Sequence, residues 1–412
     1  MAAGVQIPDP NETIDLQQQV FRLQALLEAS RQVHATIREE EVLESVLRIV
    51  VRELEMAGAS FPGTGLTYGE EIRADSEINA KSDDGSGLAA AMRPVFPLKD
   101  RDGRQMTELL VAPPDSRELT IYESDFLEGL ALQAAVALEN ARNHKRNVEF
   151  ARVQQDLDAA RNIQRSLLPQ HLPAVEGYSL GFKSATCYEV GGDYLDILEL
   201  PDGSLILAVA DVAGKGMASA IMSTSFRSAF RAMVVSGVPL DELAARMNQH
   251  HWLEGEEARR RYVTAIFLRL YPDVGEIEVV NAGHNPGFVI HPDGTRVEIE
   301  SSGTPLGLLP GMQYAIEHYA FQRGSRLLFY TDGLTEAFRG DEEFGPERLM
   351  DNFSKCKSPK ADAILDALWT AIQLFVEGGP QGDDMTALVL CRVAGSHSGA
   401  AAGSQPATES RA

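Results

Sequence analysis

The amino-acid sequence predicts an α+β protein. An antiparallel β-sandwich flanked by helices, over residues 169–393, is preceded by a smaller α+β domain over 13–142 and a helical linker over 143–168. Three observations support that class. Between residues 178 and 393, short apolar runs bounded by turn residues are interrupted by helix-period stretches, the pattern of antiparallel strands with inserted helices. Upstream, apolar residues recur at helical spacing, at Leu16, Val20, Leu23 and Leu27 and again at Val42, Val46, Ile49 and Val50. Between these regions Leu127, Leu130, Ala134, Ala137, Ala141, His144, Val148 and Ala151 follow alternating three and four spacings, which Val153, Leu157, Ala160 and Gln164 resume after an offset. That spacing predicts either a two-stranded coiled coil with one stutter near Ala151 or a single helix packed on its own domain.

Composition narrows the function. At 412 residues the chain exceeds one typical domain. Sixty acidic against 37 basic residues give a net charge of -23, so nucleic acid and anionic membranes would be repelled. Cys187, Cys356 and Cys391 are widely spaced and odd in number, which suits a reducing compartment and forms no metal-binding pair. No apolar run approaches eighteen residues and no charged-then-apolar leader opens the chain, so a cytoplasmic location is expected.

Taken in order, residues 1–12 are polar and read as a disordered lead-in. Helices follow from Thr13 and around Val42, then a Gly-rich segment over 58–69, short alternating runs, and a turn at Asp100-Arg101-Asp102-Gly103 before Leu109-Leu110-Val111. A helix over 123–141 closes this domain, and Pro169 and Pro173 end the linker helix. Beyond them, strands are expected over 178–183, 263–270, 277–281, 288–291, 296–299, 315–321 and 326–331 and from Met385. Helices are expected over 217–235, 240–253 and 361–376, and the Ala/Gly/Ser tail after Val393 reads as disordered.

The chemistry concentrates in acidic residues at strand ends. Val190-Gly191-Gly192-Asp193-Tyr194-Leu195-Asp196 and Asp211-Val212-Ala213-Gly214-Lys215-Gly216 flank two apolar strands joined by an Asp202-Gly203 turn. Antiparallel pairing about that turn brings Asp193 within about one residue of Asp211, roughly 5 to 8 Å between side chains. Asp332-Gly333 ends a buried strand, and Asp383-Asp384 heads the last one. Carboxylates this close repel unless a cation lies between them, and an all-oxygen set without histidine or cysteine favours Mg²⁺ or Mn²⁺ over zinc. An Asp-Gly at a strand end is by itself only a turn; the joint pattern carries the assignment. Strand parity turns Asp196 to the face opposite Asp193, which makes it structural or an outer contact of the site.

Seven ordered motifs then carry a resemblance. Ile163-Gln164-Arg165-Ser166-Leu167-Leu168-Pro169, Gly191-Gly192-Asp193-Tyr194-Leu195-Asp196, Asp211-Val212-Ala213-Gly214-Lys215-Gly216, Asn281-Ala282-Gly283-His284-Asn285-Pro286, Pro305-Leu306-Gly307, Tyr330-Thr331-Asp332-Gly333 and Asp383-Asp384-Met385-Thr386 stand in the order seen in bacterial SpoIIE/RsbU-type phosphatases of the metal-dependent PPM class. The resemblance covers residues 155–393. Diguanylate cyclases also carry a Gly-Gly-Asp triplet, but the further acidic residues they need are absent. The helix over 123–141 is similar to the closing helix of GAF sensor domains, a resemblance spanning about 25–142. No cysteine precedes Cys187 to anchor a chromophore, and His34 and His144, the two histidines that could ligate a haem, read as solvated or packed; a domain kept only for dimerisation and a sensor both remain open.

The resemblance implies a serine/threonine protein phosphatase with two Mn²⁺ or Mg²⁺ ions. Asp211 would bridge them with the carbonyl of Val212 near one, Asp193 would bind directly or through water, and Asp332 and Asp383 would complete the other sphere, with Asp384 as the alternative to Asp383. Hydrolysis would be direct, without a covalent intermediate. Animal and plant members usually carry histidine where this chain has Ala213, so a dedicated general acid is in doubt. Lys215 is either a phosphate contact or a solvated lysine, and His284 reads as part of an Asn-His turn between strands rather than as an acid. The implied partner is a phosphorylated STAS-domain anti-sigma factor antagonist, and the implied assembly is a homodimer through the GAF-like domain and linker. A binding scaffold with an inactive site and a phosphatase of small metabolites are the alternatives.

Overall fold

The computed structural model describes residues 10–70 and 94–393, and the chain divides into two compact units, Met1–Gln154 and Gln155–Ala412. The expected lead-in over 1–9, the alternating runs over 71–93 and the tail over 394–412 lie outside the described residues.

In the N-terminal unit, α1 (Pro10–Val33) includes residues 10–12, which were expected to belong to a disordered lead-in. Helix α2 (Glu39–Glu53) opens with three glutamates, closes with Arg52, and buries the expected Val42, Val46, Ile49 and Val50. The Gly-rich segment is a hairpin of β1 (Gly58–Phe61) and β2 (Leu66–Gly69). With β3 (Val95–Lys99) and β4 (Gln105–Ala112) it makes an antiparallel sheet ordered β2-β1-β4-β3. The core joins Val46 and Val50 to Leu109, Val111, Leu127 and Leu130. Helix α3 (Ile121–Leu167) runs 47 residues without a break, so the closing helix and the linker are one element, and the division between units falls within it rather than at residue 142. At its start Arg117 forks onto Glu123 at 2.6 and 2.9 Å, which holds that carboxyl down at about 2.

The C-terminal unit has two five-stranded antiparallel sheets. One is ordered β12-β9-β8-β7-β6, from β6 (Tyr194–Glu199), β7 (Leu205–Val212), β8 (Val263–Tyr271), β9 (Glu276–Ala282) and β12 (Glu317–Ala320). The other is ordered β11-β10-β13-β16-β5, from β5 (Tyr178–Ala185), β10 (Gly287–Ile290), β11 (Arg296–Ile299), β13 (Arg326–Tyr330) and β16 (Met385–Arg392). A small hairpin of β14 (Phe338–Arg339) and β15 (Glu342–Glu343) stands apart. Strand parity sorts the side chains into three layers. Leu195, Leu207, Val209, Leu327, Phe329, Leu388 and Leu390 fill the space between the sheets. On one outer face Ile206 and Phe267 meet Phe226 and Phe230 of α4 (Met217–Val234) and Leu243 and Met247 of α5 (Leu240–Leu253). On the other, Leu328 and Val389 meet Leu349 and Phe353 of α7 (Gly345–Lys355) and Leu365 and Trp369 of α8 (Ala361–Val376). A one-turn helix α6 (Glu256–Arg260) follows α5.

Candidate active site

The β6–β7 hairpin sets the site. Its turn is closed by the Ser204 N–H and hydroxyl, both donating to Asp202 Oδ1, and its register pairs Tyr194 with Ala210. Carried one residue beyond its last pair, that register sets Asp193 opposite Asp211, as the turn chemistry predicts, and the Asp211 charge acts on Asp193. Both share the parity of Leu195 and Val209 and so face the space between the sheets at one end of the sandwich. Asp332 opens a short 3-10 turn directly after β13, and Asp383 and Asp384 precede β16.

These carboxylates do not play one role. Asp211, Asp332 and Asp383 line a cavity of about 250 Å³ together with Lys215, Tyr262, Thr264 and His284. Asp193 lies outside that lining and accepts a hydrogen bond from Thr331 Oγ1 at 2.8 Å. Asp384 is buried and committed: Oδ1 accepts the Cys187 N–H and Oδ2 the Gly192 N–H, each at 2.7 Å. It ties the loop carrying Asp193 to the head of β16. Gly192 is glycine for want of room, since a Cβ there would lie 2.9 Å from the Val212 carbonyl oxygen and 3.3 Å from Asp211 Oδ1. Asp196, on the opposite face, is fully buried and accepts Arg231 through both oxygens at 2.6 and 2.7 Å.

Proton affinities follow from that crowding. Burial, then the negative charges of Asp332 and Asp383, pushes Asp211 up to about 7. Burial, then Glu336 and Asp383, pushes Asp332 up to about 6. Asp193 rises well above the usual carboxylate range, from burial and then Asp211. Asp384 rises from burial against the lowering pull of its two backbone donors. Lys215 donates to Asp383 Oδ2 and to the Gly382 carbonyl, each at 2.7 Å. His284 closes the turn expected of it, its N–H donating to Asn281 Oδ1 at 2.8 Å; its Nδ1 lies 2.8 Å from Thr264 Oγ1, and burial pushes the imidazole down to about 4, leaving it neutral.

The donor set suits a hard divalent cation: carboxylate and carbonyl oxygens only, with proton affinities that a cation would relieve. Among the described residues no three histidine, cysteine or carboxylate side chains already close around one point, so the carboxylates share a cavity rather than a finished cage. Thr331 was not picked out from sequence, although a threonine at the end of an apolar strand just before Asp332 is the available signal.

Residues 201–393 match the family described as stage II sporulation protein E (SpoIIE). This region is a SpoIIE-type phosphatase domain. PP2C-type phosphatases, the class of the SpoIIE-type domain, are metal-dependent protein phosphatases. The chain is 27% identical over 263 residues to protein IcfG of Synechocystis sp., covering 58% of this chain and 41% of that one. It is 26% identical over 231 residues to the phosphoserine phosphatase RsbP of Bacillus subtilis, covering 56% of each. The chain thus spans about half the length of the curated relatives it matches. The SpoIIE-type fold is also that of the SiaA-PP2C domain of Pseudomonas aeruginosa, at 22% identity and a TM-score of 0.51 over 58% of this chain and 97% of that one. Among the described residues no helix is long and apolar enough to cross a membrane.

Proposed function

We propose that the chain is a metal-dependent protein phosphatase acting on phosphoserine or phosphothreonine. The observation that carries this is the facing pair Asp193 and Asp211, set beside a cavity that Asp332 and Asp383 share. In this reading Asp211, the Val212 carbonyl, Asp332 and Asp383 hold two Mn²⁺ or Mg²⁺ ions, Asp193 supports them from behind, and Asp384 acts as the brace that keeps Asp193 in place. Bound, such ions supply charge neutralisation for the phosphate and acidity to water. The protein's own part is to orient and to exclude: Thr331 fixes the Asp193 carboxylate, the Gly191-Gly192 backbone lets Asp384 approach, and Lys215 restrains Asp383. Direct hydrolysis then needs no nucleophilic side chain, and Ala213 supplies no general acid.

The proposed substrate is a phosphorylated STAS-domain anti-sigma factor antagonist in the cytoplasm, in keeping with a phosphoserine phosphatase among the relatives. The N-terminal unit is read as a GAF-like regulator, and α3 as the helix that pairs with a second copy; residues 143–153 of α3 are exposed along their whole length, Val148, Phe150 and Val153 included. Sedimentation decides the pairing, since a monomer at micromolar concentration removes it. Hydrolysis of phosphoserine peptides with added Mn²⁺ tests the activity. Asp211→Asn should abolish it with an unchanged circular dichroism spectrum, and near-normal turnover would refute the site.

A further inference from the structure

The geometry points to Arg261 as the residue that receives the phosphate of the substrate, an inference that rests on the phosphatase reading above. The cavity is walled by carboxylates, and its ligand in that reaction is an anion; the ions held there would meet part of its charge, and a cation of the chain facing the cavity would bind the remaining phosphate oxygens. Lys215 lines the cavity, and Arg261 stands behind Gly214, another of its lining residues. Lys215 is taken, its ammonium bonded to Asp383 and to the Gly382 carbonyl.

Arg261 is held at the backbone and free at the head. Its N–H donates to the Ala258 carbonyl at 2.9 Å, and its own carbonyl lies 2.8 Å from Nε2 of the buried His251. The carbonyl of the next residue, Tyr262, accepts the Ala213 N–H at 2.9 Å, so this segment moves with the loop that follows Asp211. Among the described residues the guanidinium makes no hydrogen bond or ion pair, although its neighbour Arg260 pairs with Glu256 and Glu257. Instead Nη1 lies over Gly214, 2.5 Å from where a Cβ would stand, and Gly214 itself lines the cavity beside Tyr262. The φ of +102° at Gly214 and the methyl of Ala213 leave this space open. A planar fork of donors, placed on a rigid turn and lacking a carboxylate partner, matches a phosphate monoester.

The test uses the full chain with Mn²⁺. Arg261→Ala should raise KM for a phosphoserine peptide by about ten- to a hundredfold, with kcat changed by less than about threefold, and Arg261→Lys should fall between. Binding of inorganic phosphate, followed by calorimetry, should weaken by a similar factor while Mn²⁺ uptake stays unchanged. Unaltered phosphate binding in Arg261→Ala would overturn the assignment, and so would a matching loss of Mn²⁺ affinity, which would make Arg261 structural. A wild-type chain that hydrolyses no phosphoester defeats the phosphatase reading instead, and phosphate binding still decides for or against Arg261.

Discussion

Cation uptake should expel protons from the crowded carboxyls, and the share of Asp211 and Asp332 can be counted. With Asp211 near 7 and Asp332 near 6, at pH 6 the first is roughly nine-tenths protonated and the second half protonated, so binding should release about 1.4 protons from these two. At pH 8 the number falls to about 0.1. Calorimetric titration of Mn²⁺ in buffers of equal pH and different ionisation enthalpy gives the count as a slope, and Asp211→Asn should lower it at pH 6 by about 0.9. Mn²⁺ binding without proton release at pH 6 would refute the reasoning. The same values fix the sign of a stability change. Below about pH 4 Asp211 is protonated in folded and unfolded chains alike; between about 4 and 7 only the folded chain keeps the proton. The metal-free protein should therefore lose on the order of 2–4 kcal/mol as pH rises through that window. Added Mn²⁺ should raise the transition temperature more at pH 8 than at pH 5.

Two substitutions probe the framework. Arg231→Ala leaves the buried Asp196 carboxylate without its cation and should cost about 2–3 kcal/mol, after allowing for the 37% exposure of the arginine; a lower urea midpoint measures it, and a change under about 1 kcal/mol would mean that water already screens the pair. Thr331→Val keeps the shape but removes the donor to Asp193 and the acceptor for the Thr386 N–H, so about 1–2 kcal/mol and roughly tenfold in peptide turnover should be lost. Unchanged turnover would show that Asp193 is positioned by other groups.

The parts legible in the sequence are those written in local rules. The Asp202-Gly203 turn and the alternation of β6 and β7 carried the facing of Asp193 and Asp211 and sent Asp196 to the opposite side. The pairing of apolar runs with helix-period stretches carried the layered architecture. What escaped depends on contacts between distant residues. That Asp384 is committed to the Cys187 and Gly192 amides is visible only in the fold, and the Thr331 hydroxyl acquires meaning only beside Asp193. One departure was local. The hairpin over 58–69 was hidden by glycines that serve its turn, Gly63 and Gly65 with φ of 79° and 74°.

The bond from the Gly192 amide to Asp384 spans 192 residues of chain. It forms only when β16 has slotted between β13 and β5, joining the head of that strand to the loop beside Asp193. A ribosome-bound or clipped chain that stops short of Asp383 therefore presents the hairpin carboxylates without their brace. Such fragments should neither sequester manganese nor hydrolyse phosphate, so any activity of the proposed kind would wait for β16 to be inserted.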